Sequence, residues 1–163
     1  MSTTHDDIFS EPGTMPFDRI VVRDLGLADL DRVVRIDAHA VGRSRREYYS
    51  RKLTEVVTDS GIRISLAAEC DGELTGFLLG RLYYGEFGLP EPTAIIDSIG
   101  VDPAWRGKRV GWAMLAQLET NLRGLGIESI QTQVAWNDFG LAKFLAADGF
   151  EPAPVLCLQK RLD

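Results

Sequence analysis

Cysteine and histidine are scarce in this chain, with two of each in 163 residues. Cys70 and Cys157 are far apart, and each sits among apolar neighbours, LAAEC and VLCLQ. Both read as reduced, small core residues. His5 and His39 have no Cys or carboxylate grouping around them at ligand spacing, so no metal is expected. No apolar run reaches the roughly 18 residues that a membrane span needs. The start, MSTTHDDIFSEPGTMPFD, has no basic segment followed by an apolar run, so it does not read as a signal peptide. The expected setting is cytoplasmic, with no membrane partner. Positive charge is also short: 18 Lys and Arg stand against 24 Asp and Glu, a net charge of −6. That argues against general nucleic-acid binding. It leaves room for an anionic ligand, because a ligand feels local charge.

Two phosphate-binding motifs are missing as well. There is no G-x-x-x-x-G-K-[ST] and no G-x-G-x-x-G. Gly124-Leu125-Gly126 matches only the first half of the latter, at a helix end where glycine is expected anyway.

What is present fits one domain with ordinary globular composition, 45% apolar and 26% charged. Residues 1–17 are polar, carry Pro12, Gly13 and Pro16, and read as a flexible tail. The domain is expected to run from 18 to 163. RIVVR (19–23) reads as a strand. Leu27, Leu30, Val33, Val34 and Val41 recur at helical spacing after a start signal at Asp24. Residues 44–58 read as a second helix. Residues 62–69 and 74–83 read as strands around Asp71-Gly72, a strong hairpin signal. YYGEFGLPEPT is a loop, and AIIDSIGV (94–101) is a strand. Val110, Met114, Leu118, Leu122 and Leu125 form a helix stripe. A strand is expected over 127–136, a short helix around Phe139, Ala142 and Leu145, and one or two last strands over 150–162. The order β-α-α-β-β-β-α-β-α-β mixes a parallel pair with antiparallel hairpins. The fold class is therefore α/β: a central mixed sheet with helices on both faces.

The positive charges that exist are clustered. Arg43, Arg45, Arg46, Arg51 and Lys52 form one group, which reads as a solvated helix face. Arg106, Lys108 and Arg109 form another, in IDSIGVDPAWRGKRVGWAML. Here a strand runs into a glycine-containing basic loop and then into a long helix. The amides that open a helix have no intrahelical acceptors and lie at its positive dipole end. With Gly107 and Gly111 allowing close approach, Arg106–Gly111 reads as a phosphate or pyrophosphate site. A solvent-exposed turn with a few basic residues is the competing reading.

VDPAWRGKRVGWAML resembles the acetyl-CoA signature of the GNAT superfamily of N-acetyltransferases, [Q/R]-x-x-G-x-[G/A]. Here it reads Arg106-Gly107-Lys108-Arg109-Val110-Gly111. The element order is similar too, as is the close through Asn137-Asp138 to Asp148-Gly149-Phe150. The resemblance implies a GNAT-like fold, acetyl-CoA as cosubstrate, and transfer of acetyl to an amine within a ternary complex. It implies that the pantetheine arm lies along Ile99, Gly100 and Val101, with a backbone N–H near Ile99 steadying the oxyanion. It implies that Arg106, Gly107, Lys108, Arg109, Val110, Gly111 and Trp112 hold the pyrophosphate end. Asn137 either reaches the cofactor arm or caps the last helix. The sequence departs from the family at three positions. Arg109 stands where the first motif glycine is usual. Leu145 stands where many relatives have a tyrosine general acid. Gln133 stands where some have a glutamate.

Only a neutral amine attacks a thioester, and a lysine amine has a pKa of about 10.4, so a proton must be taken up. Asp97 is the candidate base. Simple alternation puts it on one side of its strand with Ile95, Ile99 and Val101, so it should face a cleft or hold a partner. An aspartate that merely accepts structural hydrogen bonds is the other reading. Tyr84, in the loop before that strand, is the candidate acid. Glu86 and Glu91 in the same loop could attract a cationic substrate. The acceptor is expected to be an amine: a protein N-terminus, a lysine or a small amine. A homodimer is common in the resembling family, and nothing in the sequence demands one. Two rival functions remain open: a non-catalytic acyl-CoA-binding sensor or partner subunit, and another kind of nucleotide-phosphate-binding protein.

Overall fold

The computed structural model describes residues 19–58 and 64–163. It divides into two compact units, one ending at Thr132 and one running from Gln133 to Asp163. In the first unit the strands are β1 (Ile20–Asp24), β2 (Leu66–Cys70), β3 (Glu73–Tyr83), β4 (Thr93–Val101) and β5 (Ile130–Thr132). The helices are α1 (Leu30–Val41), α2 (Arg46–Thr58) and α3 (Val110–Gly124). The sheet order follows the chain, β1-β2-β3-β4-β5. All neighbours are antiparallel except β4 and β5, which run parallel.

The hairpin expected at Asp71-Gly72 joins β2 to β3. Cys70 pairs with Glu73, and both turn residues take positive φ, 53° and 78°. That conformation matches the twist of the flanking strands, and the Asp-Gly pair tolerates it.

Adjacent residues of β3 reveal the two layers. A Cβ on Gly76 would lie 2.8 Å from Val110 Cγ1 and 3.0 Å from Met114 Cε, so Gly76 faces α3 at close quarters. Its neighbour Phe77 faces the other way, into a cluster with Val33 and Ile36 of α1 and Tyr49 and Leu53 of α2. Helices therefore cover both faces of the sheet. Val110, Met114, Leu118 and Leu122 of the expected α3 stripe are buried; Leu125 is the exposed C-cap.

Three expectations need correction. The strand expected over 127–136 is only Ile130–Thr132, paired with Ala94–Ile96. The last strands expected over 150–162 do not form. Pro152 and Pro154 have no N–H to donate to a ladder, which interrupts the segment. Without a strand there, Cys157 is exposed, and only Cys70 is a core cysteine. The second unit contains one helix, α4 (Phe139–Ala147), capped by Asp138, whose carboxylate accepts from the Leu141 amide at 3.0 Å. No helix among the described residues is long and apolar enough to cross a membrane.

Candidate active site

Strand β4 changes company half-way along. Ala94–Ile96 has β3 on one edge and β5 on the other. Among the described strands, Ser98–Val101 pairs only with β3. Between the halves the register with β3 slips: Gly80 faces Ile96 while Leu79 faces Ser98, so Asp97 is the extra residue of a β-bulge. The Asp102 amide donates to the Thr75 carbonyl of β3 at 2.8 Å. Alternation back along the strand then turns the N–H groups of Val101 and Ile99 away from β3, onto the open edge.

The bulge also corrects the expected facing of Asp97. Val101 pairs with Gly76 and therefore faces α3, and Ile99 shares that side. Asp97 instead faces α2, where its Oδ2 lies 3.2 Å from Arg81 Nε and 3.9 Å from Lys52 Nζ. An inserted residue reverses alternation, and a sequence pattern alone does not reveal the insertion. The Asp97 side chain is 18% exposed, so two cations meet a largely buried carboxylate. Arg81 is further held by Tyr83, whose hydroxyl accepts from Nη2 at 2.8 Å and whose ring centre lies 4.8 Å from the guanidinium. Lys52 lies over the Tyr48 ring at 6.0 Å and pairs with Glu55 at 3.5 Å.

Ser98, beside Asp97, pairs with Leu79 and so shares the α1–α2 side of the sheet with the cluster that holds Tyr49. Tyr49 is fully buried and donates to Asp37 Oδ1 at 2.8 Å. Arg45 closes the group with a bidentate pair to Asp37. Burial opposes the ionised form of Asp37, but the hydrogen bonds from Arg45 and Tyr49 outweigh it and hold the carboxyl below its usual range. Burial likewise pushes the Tyr49 hydroxyl above the ordinary phenol range, despite the opposing bond from Ser98. Tyr49 therefore stays neutral, held by Asp37 and Arg45. Gly100 completes this side. A Cβ there would lie 2.7 Å from the Phe77 ring and 3.2 Å from Ile36 Cγ2, so only glycine lets β4 settle so close.

Beyond Val101 the chain makes a built corner. Asp102 caps the short 3-10 turn Pro103–Trp105 by accepting from the Ala104 amide at 2.9 Å. Arg32 of α1 steadies the corner, donating from Nη2 to Asp102 Oδ2 at 3.2 Å and to the Leu74 carbonyl at 2.9 Å. Gly107 takes φ 72° and Arg109 takes φ 68°. The Arg109 backbone thus adopts the left-handed conformation expected of the glycine it replaces, at a cost of about 1–2 kcal/mol for a residue with a Cβ. Arg109 is the N-cap of α3, and its side chain makes no capping bond. The first amide bonded back into the helix is Ala113, to the Arg109 carbonyl at 3.0 Å. The Val110 and Gly111 amides lie ahead of it, at the positive end of the helix. Arg106 and Arg109 are exposed here, and Lys108 lies 5.1 Å over the Trp105 ring.

The structure therefore brings Asp97, Ile99, Gly100, Val101 and the run Arg106–Trp112 into one stretch of strand, corner and helix start. Tyr84 is elsewhere along the strand. It follows Tyr83, which pairs with Thr93 at the start of β4. From Thr93 to Ile99 is about 20 Å at ~3.4 Å per residue. In the second unit Asn137 is exposed, and the α4 cap is Asp138, not Asn137. Leu145 is buried. Sequence reasoning missed Tyr49, Ser98, Arg81, and the roles of Arg45 and Lys52. The basic run 43–52 read as a solvated face, yet Arg45 pairs with a buried aspartate and Lys52 reaches Asp97.

Comparison with known proteins gives a consistent picture. Residues 32–150 match the model of the acetyltransferase (GNAT) family. An aminoglycoside N(6')-acetyltransferase type 1 from Stenotrophomonas maltophilia is 29% identical over 102 residues, 61% of this chain and 67% of that protein. Among solved structures, aminoglycoside N-acetyltransferase AAC(6')-Iy in complex with CoA superposes with a TM-score of 0.72 at 18% identity, covering 88% of this chain and 95% of that one. A ribosomal-protein-alanine N-acetyltransferase from Brucella melitensis biovar Abortus 2308 gives 0.69 at 19% identity, with 88% and 99% covered.

Proposed function

This chain belongs to the acetyltransferase (GNAT) family and is an acetyl-CoA-dependent N-acetyltransferase; from that premise we propose that it moves acetyl to a primary amine by direct attack, using Asp97 and the open half of β4. The observation that carries this reading is the outer edge of Ser98–Val101, on which no strand among the described residues pairs and which leads into the basic start of α3. An extended pantetheine arm can hydrogen-bond to such an edge as an added strand would. Its pyrophosphate then meets the Val110 and Gly111 amides with Arg106, Lys108 and Arg109 around them. That a solved structure of the same fold is in complex with CoA supports the assignment.

On this reading the amine approaches from the α2 side, against Asp97. A protonated amine cannot attack, so Asp97 accepts its proton, directly or through a water. Nitrogen bonds to the thioester carbonyl carbon, and the oxygen gathers negative charge. The Ile99 N–H donates to that oxygen. The C–S bond then breaks, the thiolate leaves with the electron pair, and it takes up the second proton that the attacking nitrogen sheds. A thiol is acidic enough, with a pKa of about 8.5, that no strong acid is needed, so this reading does not use Tyr84. No covalent enzyme intermediate forms, and neither cysteine takes part. The acceptor is an amine; the aminoglycoside and ribosomal-protein names belong to the relatives.

Calorimetry with acetyl-CoA and with ATP, followed by thiol release with a panel of amines, tests the reading. Binding of acetyl-CoA but not ATP, with amine-dependent thiol release, is the expected result. No heat with acetyl-CoA at millimolar concentration would overturn it.

A further inference from the structure

The surroundings of Asp97 point to the class of amine that it receives. Resting on the reading above, we propose that the acceptor carries a carboxylate near its amine and is not a polycation, with Arg81 as the residue that selects it.

Asp97 has two cations on it: Arg81 Nε at 3.2 Å and Lys52 Nζ at 3.9 Å. An incoming ammonium group cannot reach a free carboxylate here. It must displace a guanidinium or an ammonium that already holds the site. A polycationic acceptor would displace them and leave Arg81 and Lys52 facing further positive charge, which is costly in a partly desolvated cleft. An acceptor with its own carboxylate removes that cost by exchange. Its ammonium takes the place of Arg81 on Asp97, and its carboxylate takes the place of Asp97 on Arg81. Every charge keeps a partner throughout.

The geometry suits such an exchange. Amine and carboxylate of an amino acid lie about as far apart as the two halves of one hydrogen-bonded ion pair. Arg81 is 48% exposed on its side chain, so an approaching group can reach it, whereas Asp97 is 18% exposed. The Tyr83 hydroxyl and ring hold the guanidinium in place, which favours planar, two-point recognition of a carboxylate. Glu55, on Lys52, is 66% exposed and sits on the solvent side of the pair. Glu86 and Glu91 are exposed on the loop beyond Tyr83, and the ion pairs that Asp97 makes are with Arg81 and Lys52. Phe87, 91% exposed at φ 56°, stands 6.4 Å from the Tyr83 ring that Arg81 packs on, an apolar group beside the guanidinium's support.

The test is a matched set of acceptors used with the full chain and saturating acetyl-CoA. Phenylalanine and phenethylamine differ only by the carboxylate. Spermidine and an aminoglycoside supply the polycations. A peptide with aspartate at its second position separates an acidic peptide from a free amino acid. At least one carboxylate-bearing acceptor should exceed phenethylamine and both polycations in kcat/KM by tenfold or more. R81Q should reduce that ratio at least tenfold by lowering the carboxylated rate and raising the polycation rate, and R81K should restore part of it. A variant that is merely destabilised would lower both rates together. The same ranking is expected for binding to CoA-saturated protein by calorimetry, so the outcome does not depend on turnover. A preference for polycations, or a ratio unmoved by R81Q, overturns the proposal. If acetyl-CoA itself does not bind, it is the acetyltransferase reading that fails.

Discussion

The two halves of β4 have similar residues and opposite circumstances. Ala94–Ile96 is paired on both edges, while Ser98–Val101 is paired on one among the described strands. In the first half strands lie on both sides, and the residues serve packing. In the second half the backbone N–H groups on the outer edge have no strand beside them among the described residues, and it is this edge that the proposed mechanism uses. One inserted residue, Asp97, separates the halves and turns its own side chain toward α2. On the proposed mechanism, what distinguishes the second half is a missing neighbour more than an unusual side chain.

The largest expected effect applies one substitution to each half. Ile99→Pro removes only an outward N–H, a change that an edge position tolerates. It should leave the melting temperature within a few degrees and lower kcat/KM for acetyl-CoA about 1,000-fold, the upper end of the range for losing one oxyanion donor. Ile96→Pro removes an N–H on the β5 side, where the neighbouring Ala94 amide donates to Ser129 at 3.0 Å. It should destabilise the fold strongly. Equal losses of stability in both variants would break the comparison.

Next in size is Asp97→Asn, read by a pH–rate profile. Asn keeps the shape and removes the proton acceptor. Turnover should fall about 100-fold at pH 6, in the usual range for losing a general base. The deficit should shrink as pH rises toward the pKa of the acceptor amine, because a growing share of the amine is then neutral without help. A rate that is unchanged across pH removes Asp97 from the base role. Smaller again is the Arg106→Ala, Lys108→Ala pair. Both cations are near the surface, so the loss of CoA affinity should be about tenfold at low ionic strength and should fade as salt is added.

These contrasts also explain what could be read from the sequence. The hairpin at Asp71-Gly72, the α3 stripe and the basic corner at 106–111 are local signals, written in neighbouring residues. Each is present in the structure at its expected place. The bulge is not local. It exists because β3 and β4 slip against each other between Leu79 and Gly80, and period-two counting along β4 alone assigns Asp97 to the wrong face. The pairs Arg45–Asp37 and Arg81–Asp97 join different elements, so a charge run that looked solvated became part of the site's support. The strands expected after Phe150 rested on apolar composition, which Pro152 and Pro154 override.

Arg109 yields the smallest effect and the sharpest test of how the open half is used. Its backbone is left-handed at φ 68°, a conformation natural to glycine, and its side chain caps nothing. If the residue were retained for folding, glycine would be the better choice. Arg109→Gly should raise stability by up to about 1 kcal/mol, strain relief being partly offset by the greater freedom of glycine in the unfolded chain. The same variant should bind acetyl-CoA several-fold more weakly, with the deficit lost at high salt. Arg109→Lys separates the two effects, since it keeps both the charge and the strain. Higher stability with weaker cofactor binding in the glycine variant would mean that the chain carries backbone strain at the helix start for the sake of one more cation. Higher stability with unchanged binding would assign the phosphate contacts to the amides, Arg106 and Lys108 alone.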